Sequence, residues 1–122
     1  MQKDSPDSLK KIDAIIRKEK FPDIDQALKE VGISGLTFFD VEGRGRARGM
    51  EMVEGRGART YRPEYVERAK LEIVVKSSDV RRVVEAILEH GRTGAVGDGK
   101  ILVYPIEEAY DITSGESGDK AV

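Results

Sequence analysis

The chain has 122 residues, with 21 Lys and Arg against 23 Asp and Glu and a pI near 5.5. That size suits one domain, and the charge balance does not advertise a nucleic-acid partner. The absence of cysteine and the presence of a single histidine, His90, exclude disulfides, thiolate nucleophiles, Cys-type zinc and His-rich metal sites, so no metal site is expected. No apolar run approaches the ~18 residues of a membrane span and the polar first residues lack a signal-peptide core, so a cytoplasmic protein with no direct membrane insertion is expected.

Residues 1–8 read as a flexible extension, 9–118 as the domain and 119–122 as a flexible tail. Leu9 to Ile16 alternates as a strand, with Ile12, Ala14 and Ile16 on one face. Pro22 and Asp23 open a helix. Ile24, Ala27, Leu28 and Val31 continue it at helical spacing, and Gly32 stops it. Leu36 to Val41 is a second strand, rich in aromatic and β-branched residues. Between Gly43 and Arg62 six arginines (Arg44, Arg46, Arg48, Arg56, Arg59 and Arg62) face two acids, and five glycines are interspersed. Long loops without structure are uncommon in compact domains and are usually functional or disordered. An acidic chain that gathers arginine in one Gly-rich loop, 43–65, is presenting it to an anion or to a partner.

Val66 to Val75 gives a third strand. Ser77, Ser78 and Asp79 are candidate helix N-caps. Val80, Val83, Val84, Ile87 and Leu88 then form the cleanest helical stripe in the chain. His90 and Gly91 end that helix, where a cation complements the dipole. Lys100 to Ile106 is a fourth strand, and the acidic remainder holds at most a short strand before it frays. Ahead of the fourth strand, Gly94, Gly97 and Gly99 fall within six residues and Lys100 follows. Successive backbone N–H groups in such a turn form an anion-binding concavity, and the lysine adds a full charge. This is not a P-loop, because Lys100 leads into a strand rather than a helix. The order βαβ, long loop, βαβ points to an α+β, ferredoxin-like sandwich of four antiparallel strands with two helices on one face. The opposite face also carries apolar residues, which predicts self-association.

Four ordered motifs resemble the PII signal-transduction family: Lys10 to Ile16, Gly32 to Thr37, Lys70 to Val75, and Arg92 to Ile101. The resemblance implies a homotrimer that binds an adenine nucleotide, ATP or ADP, in clefts between subunits. It then signals nitrogen or carbon status through the long loop to a target such as an ammonium transporter or a nitrogen-metabolism enzyme. It implies phosphates against Gly97, Asp98, Gly99 and Lys100, with Arg46 reaching in, Arg92 and Thr93 nearby, and Gly43 and Gly45 letting the loop pass. Thr37 and the backbone around Val74 would recognise the base, and Ile15 is counted among the nucleotide-binding residues. Arg48, Arg56, Arg59 and Tyr61 would belong to the target-binding loop. The resemblance leaves room for Mg2+ with the nucleotide but assigns it no protein ligand here, and Arg68 stands where the family has a lysine that pairs with the 2-oxoglutarate carboxylate.

Three positions depart from the family pattern. Asp111 and Thr113 replace two phosphate-contacting arginines, and Ala47 replaces a glutamine that helps hold magnesium and 2-oxoglutarate. These argue against 2-oxoglutarate sensing and keep open a PII-like sensor with a changed input, AMP or a cyclic nucleotide, in carbon control. An acylphosphatase-like enzyme would need an asparagine this chain lacks. An RRM-type RNA binder would need aromatics on its central strands, where Lys70 to Val75 has none. Binding rather than catalysis is therefore expected.

Overall fold

The computed structural model describes residues 8–44, 52–54, 59–61 and 65–122, with 52–54 and 59–61 as backbone. The strand β1 (Leu9–Ile16) leads through a 3-10 turn at Lys18–Lys20 into helix α1 (Phe21–Glu30), and β2 (Thr37–Gly43) follows. A short antiparallel pair, β3 (Met52–Glu54) with β4 (Arg59–Tyr61), lies inside the long loop. The sequence reading placed no structure there. Val53, Thr60 and Tyr61 are residues that favour a pleated ladder. Next come β5 (Val66–Lys76), a 3-10 turn at Ser77–Asp79, α2 (Val80–Gly91) and β6 (Gly99–Pro105). The chain closes with an isolated bridge, Tyr110 to Ser117, and a 3-10 turn at Gly118–Ala121, so residues 119–122, expected as a tail, fall largely within a turn.

The four long strands form one antiparallel sheet in the order β2-β5-β1-β6, the ferredoxin-like arrangement expected from two βαβ units. Register fixes which residues share a face, because directly opposed residues point the same way. Ile12 opposes Ile73, Ala14 opposes Leu71, and Ile16 opposes Ala69. These side chains bury against Ile24, Ala27 and Leu28 of α1 and Val83, Ala86 and Ile87 of α2. Leu71 is wholly buried in this layer. Leu71→Ala is expected to cost ~3 kcal/mol, because it loses both the transfer energy of its methyl groups and their packing. A urea titration should show that loss as a lower midpoint at unchanged slope.

Two helix signals resolve differently from the sequence reading. Helix α1 ends in a Schellman motif in which Gly32, at φ 87°, donates to Lys29 O at 3.0 Å and Ile33 donates to Leu28 O at 2.9 Å. The glycine thus does what the sequence predicts. At α2, Asp79 is the N-cap but makes no capping bond, and its carboxylate instead takes Arg82 Nη2 at 2.6 Å. Leu88 is 42% exposed, while Ala86 is buried. The apolar stripe is wider than the arc that the sheet covers.

The sheet face away from the helices is mixed rather than apolar throughout. Asp13 lies there, 4% exposed. Its Oδ1 meets Lys11 Nζ at 3.4 Å as an ion pair but accepts no hydrogen bond among the described residues, and its Oδ2 lies 3.7 Å from Lys70 Nζ. Both lysines also reach Glu72, at 3.3 and 3.2 Å. Those contacts, the Lys70 hydrogen bond first, hold the Glu72 carboxyl below its ordinary range. Each lysine also lies over an aromatic ring, Lys11 over Tyr104 at 5.5 Å and Lys70 over Phe39 at 5.8 Å.

Candidate functional site

The glycine-rich turn between α2 and β6 is closed by one side chain, Asp98. Its Oδ2 accepts the Thr93 N–H at 2.8 Å and the Gly94 N–H at 2.9 Å. Its Oδ1 accepts the Thr93 hydroxyl and Arg17 Nε, the latter at 2.9 Å. The Thr93 hydroxyl in turn accepts the Ala95 N–H at 3.1 Å. Four donors on one carboxylate, the Thr93 hydroxyl foremost and Arg17 next, hold its pKa well below the usual carboxylate range. Asp98 and Thr93 therefore spend their side chains on shaping the loop. What they present to a ligand is main chain.

Gly99 shows how tightly the turn is docked. Its φ is 115°, and a Cβ there would lie 1.7 Å from Ile15 O. The backbone of β6 begins pressed against the end of β1, where Ile16 opposes Gly99 and Ile15 opposes Lys100. Gly94 and Gly97 also sit at positive φ, 90° and 100°. Lys100 is exposed beside this turn and makes no hydrogen bond or ion pair with its side chain among the described residues, and the same holds for Arg92 at the end of α2.

Two arginines hold the loop from the sheet. Arg17, just past β1, adds a bond from Nη2 to Val96 O at 3.3 Å to its pair with Asp98. Arg68 of β5 donates from Nη2 to Gly97 O at 3.0 Å and from Nη1 to Glu67 O at 2.7 Å. Arg17 was missed in the sequence reading. A lone arginine one residue after a strand carries no local signal for a partner 81 positions away.

The other candidates lie elsewhere on the same sheet. Thr37 opposes Glu72 on edge strand β2, and Val74 opposes Lys11 in the centre. They help to line a cavity of about 570 Å3 with the turn Gly32–Leu36 and with Asp119 and Val122 from the end of the chain. Ile33, Glu72 and the terminal residues were not singled out from sequence. Thr37 and Lys100 stand on opposite edges of the sheet, three strand spacings or ~14 Å across it, and are offset by two positions along the strands. One copy therefore brings together Ile15, Thr93, Gly97, Asp98, Gly99 and Lys100, and separately Thr37 and Val74.

At the base of the long loop, Gly43 opposes Val66 and Arg44 lies 6.0 Å from the Tyr65 ring centre. Arg59 and Tyr61 are placed in β4 as backbone. Gly45, Arg46, Ala47, Arg48 and Arg56 fall outside the described residues. Asp111 accepts the Ser114 N–H at 2.9 Å and the Ser114 hydroxyl at 3.3 Å, the first of which chiefly lowers its pKa. It organises a turn whose tip carries the fully exposed Ile112. Among the described residues no group of His, Cys, Asp or Glu is placed to hold a metal, and no helix is long and apolar enough to cross a membrane.

Comparison with known proteins gives consistent matches. Residues 9–116 match the family model for nitrogen regulatory protein P-II. The chain is 44% identical to nitrogen regulatory protein P-II 2 of Methanothermobacter thermautotrophicus, over 93% of this chain and 97% of that protein. It is 41% identical to the P-II protein of Rhodospirillum rubrum, over 93% of this chain and all of the relative. Among solved structures, the ATP complex of B. subtilis GlnK aligns with a TM-score of 0.78 at 32% identity, covering 98% of this chain and all of that one. Arabidopsis thaliana PII bound to citrate aligns at 0.76 with 35% identity, covering 94% and 92%.

Proposed function

The chain belongs to the nitrogen regulatory P-II family, whose members are signal transducers rather than enzymes, and on that premise we propose that it binds an adenine nucleotide between neighbouring copies and reports its occupancy through the 43–65 loop. The observation that carries this reading is the division of the candidate residues between two sheet edges. The β6 edge offers main-chain donors at Gly97, Asp98 and Gly99 with the exposed ammonium of Lys100, which suit a polyphosphate. The β2 edge offers Thr37 beside an apolar cavity wall at Val74, Ile33 and Leu36, which suits a base. Neither half encloses a ligand. Setting the β6 edge of one copy against the β2 edge of the next joins the halves, and a head-to-tail contact whose rotation closes after three copies gives the homotrimer.

The chemistry also favours a changed response to 2-oxoglutarate. Arg68 gives two of its donors to main-chain carbonyls rather than keeping them for a carboxylate, and Ala47 supplies no ligand for a magnesium ion. Asp111, locked in its own turn, adds negative charge where a cation would favour a longer phosphate chain. That observation supports the second reading, in which nucleotides with fewer phosphates compete well. The target of the loop would be a protein with an acidic surface, given the arginines at 44, 46, 48, 56, 59 and 62.

The test is calorimetric titration of the whole protein with ATP, ADP and AMP, each with and without Mg2+ and 2-oxoglutarate. Binding of ATP or ADP is expected, with 2-oxoglutarate changing the affinity by less than about threefold, ~0.6 kcal/mol. A large synergy between ATP and 2-oxoglutarate would restore a conventional input. Failure of every adenine nucleotide to bind would overturn the proposal.

A further inference from the structure

The two arginines beneath the cradle do more than hold it in place. A peptide unit is planar and trans, so its C=O and the following N–H point in opposite directions. Arg17 takes the carbonyl of Val96, which turns the N–H of Gly97 away from that guanidinium. Arg68 takes the carbonyl of Gly97, which turns the N–H of Asp98 away in the same manner. Gly97 is at positive φ, so the peptide planes on either side of it would otherwise have wide freedom. We propose that Arg17 and Arg68 are positioning residues for anion binding: by engaging consecutive carbonyls they aim the amides of Gly97 and Asp98 at the phosphates of a bound nucleotide.

Each arginine has a second anchor that fixes its direction. Arg17 forms its other bond with Asp98, the side chain that closes the loop, and Arg68 binds Glu67 O in its own strand. Neither guanidinium needs to touch the ligand for this to work, although both add positive potential beneath an anion. The arrangement also gives Arg68 a role other than the carboxylate partner that its position in the sequence suggests. It stands three residues beyond Tyr65 and two beyond Val66, the residue that opposes Gly43 at the loop base. Arg68 thus joins the loop base to the glycine-rich turn within one strand segment.

This inference rests on the proposed nucleotide site, and a probe pair separates the two. The affinities of the whole protein for ATP and for adenosine are measured by calorimetry in wild type, Arg17→Met, Arg68→Met and Arg17→Lys, with circular dichroism and light scattering to verify fold and assembly. Each Met variant is expected to lose about tenfold in ATP affinity, the worth of a charge-assisted bond, while adenosine affinity stays unchanged. A merely structural role would weaken both ligands together. Arg17→Lys keeps the charge but replaces a planar fork, whose Nε and Nη2 reach Asp98 and Val96 separately, by a single freely rotating ammonium, so it is expected to regain only part of the ATP affinity. Full recovery in that variant would assign the effect to charge and overturn the positioning role. Wild type that binds ATP while the Met variants bind it equally well also overturns the role but leaves the nucleotide site standing. Wild type that binds no nucleotide overturns both. Should a variant fail to fold, amide hydrogen exchange in wild type gives an independent answer. The Gly97 and Asp98 amides are expected to gain protection with ATP and not with adenosine, and equal behaviour with the two ligands would overturn the proposal.

Discussion

Gly99→Ala is expected to destabilise the protein by about 3 kcal/mol or more and to abolish tight binding of any phosphorylated ligand. The new methyl group would sit 1.7 Å from Ile15 O and 2.8 Å from Ile15 C. Both are backbone atoms of a central strand, so no side chain can rotate away. The start of β6 must lift off β1, breaking the pairing of Ile16 with Gly99 and displacing Lys100 from Ile15. Positive φ adds its own strain, and Gly94→Ala isolates that term. Gly94 has φ 90° but open space around the added carbon, and its substitution should cost only ~1–2 kcal/mol. Urea titrations of both variants at one protein concentration give the comparison, since assembly couples stability to concentration. Equal losses would mean that steric contact with Ile15 does not set the requirement for glycine.

Asp98→Asn is expected to lower ATP affinity between tenfold and a hundredfold without enlarging or shrinking any side chain. The carboxylate accepts two donors on each oxygen: Thr93 N–H and Gly94 N–H on one, the Thr93 hydroxyl and Arg17 on the other. An asparagine must turn its NH2 toward one of these pairs, setting donor against donor, so no flip of the amide restores the turn. The size of the loss follows from one or two misaimed donors at ordinary hydrogen-bond worth. The sign of the pH effect follows from the depressed pKa. Stabilisation by this carboxylate is complete above the ordinary aspartate value near 4. It is lost only as pH falls toward the folded-state value below that. The cradle should therefore keep its shape from pH 5 to 8, and calorimetry across that range in wild type should show no inflection from Asp98. An Asn variant as tight as wild type would show that the loop closes without this residue.

How much of this was legible beforehand depends on how local each signal was. The glycine-rich turn ahead of β6 was legible because three glycines, all at positive φ, and a lysine cluster within a few residues. The strands were legible from alternation. Their ends moved by one or two positions, as with β2, which runs to Gly43 rather than Val41. The Arg17 to Asp98 pair was not legible, because its partners meet only after β1 and β6 are neighbours. The same applies to Arg68 and Gly97. Leu88 illustrates a different limit. A five-residue apolar stripe marks a helix reliably, but which edge of the stripe is buried depends on the crossing of α1 over α2. The character of the open sheet face was half legible. Phe39, Leu102 and Tyr104 were visible as apolar, whereas the ion lattice around Asp13 required the register of β1 with β5.

Gly43 and Val66 are direct cross-strand partners, so the sheet itself brings the two ends of the 43–65 loop together. The loop's length is consequently almost free of charge to the fold, since doubling a closed loop adds only ~0.6 kcal/mol of closure entropy. The loop behaves as a cartridge plugged into a fixed socket. A change of length between these two residues therefore leaves the register of the four-stranded sheet as it is.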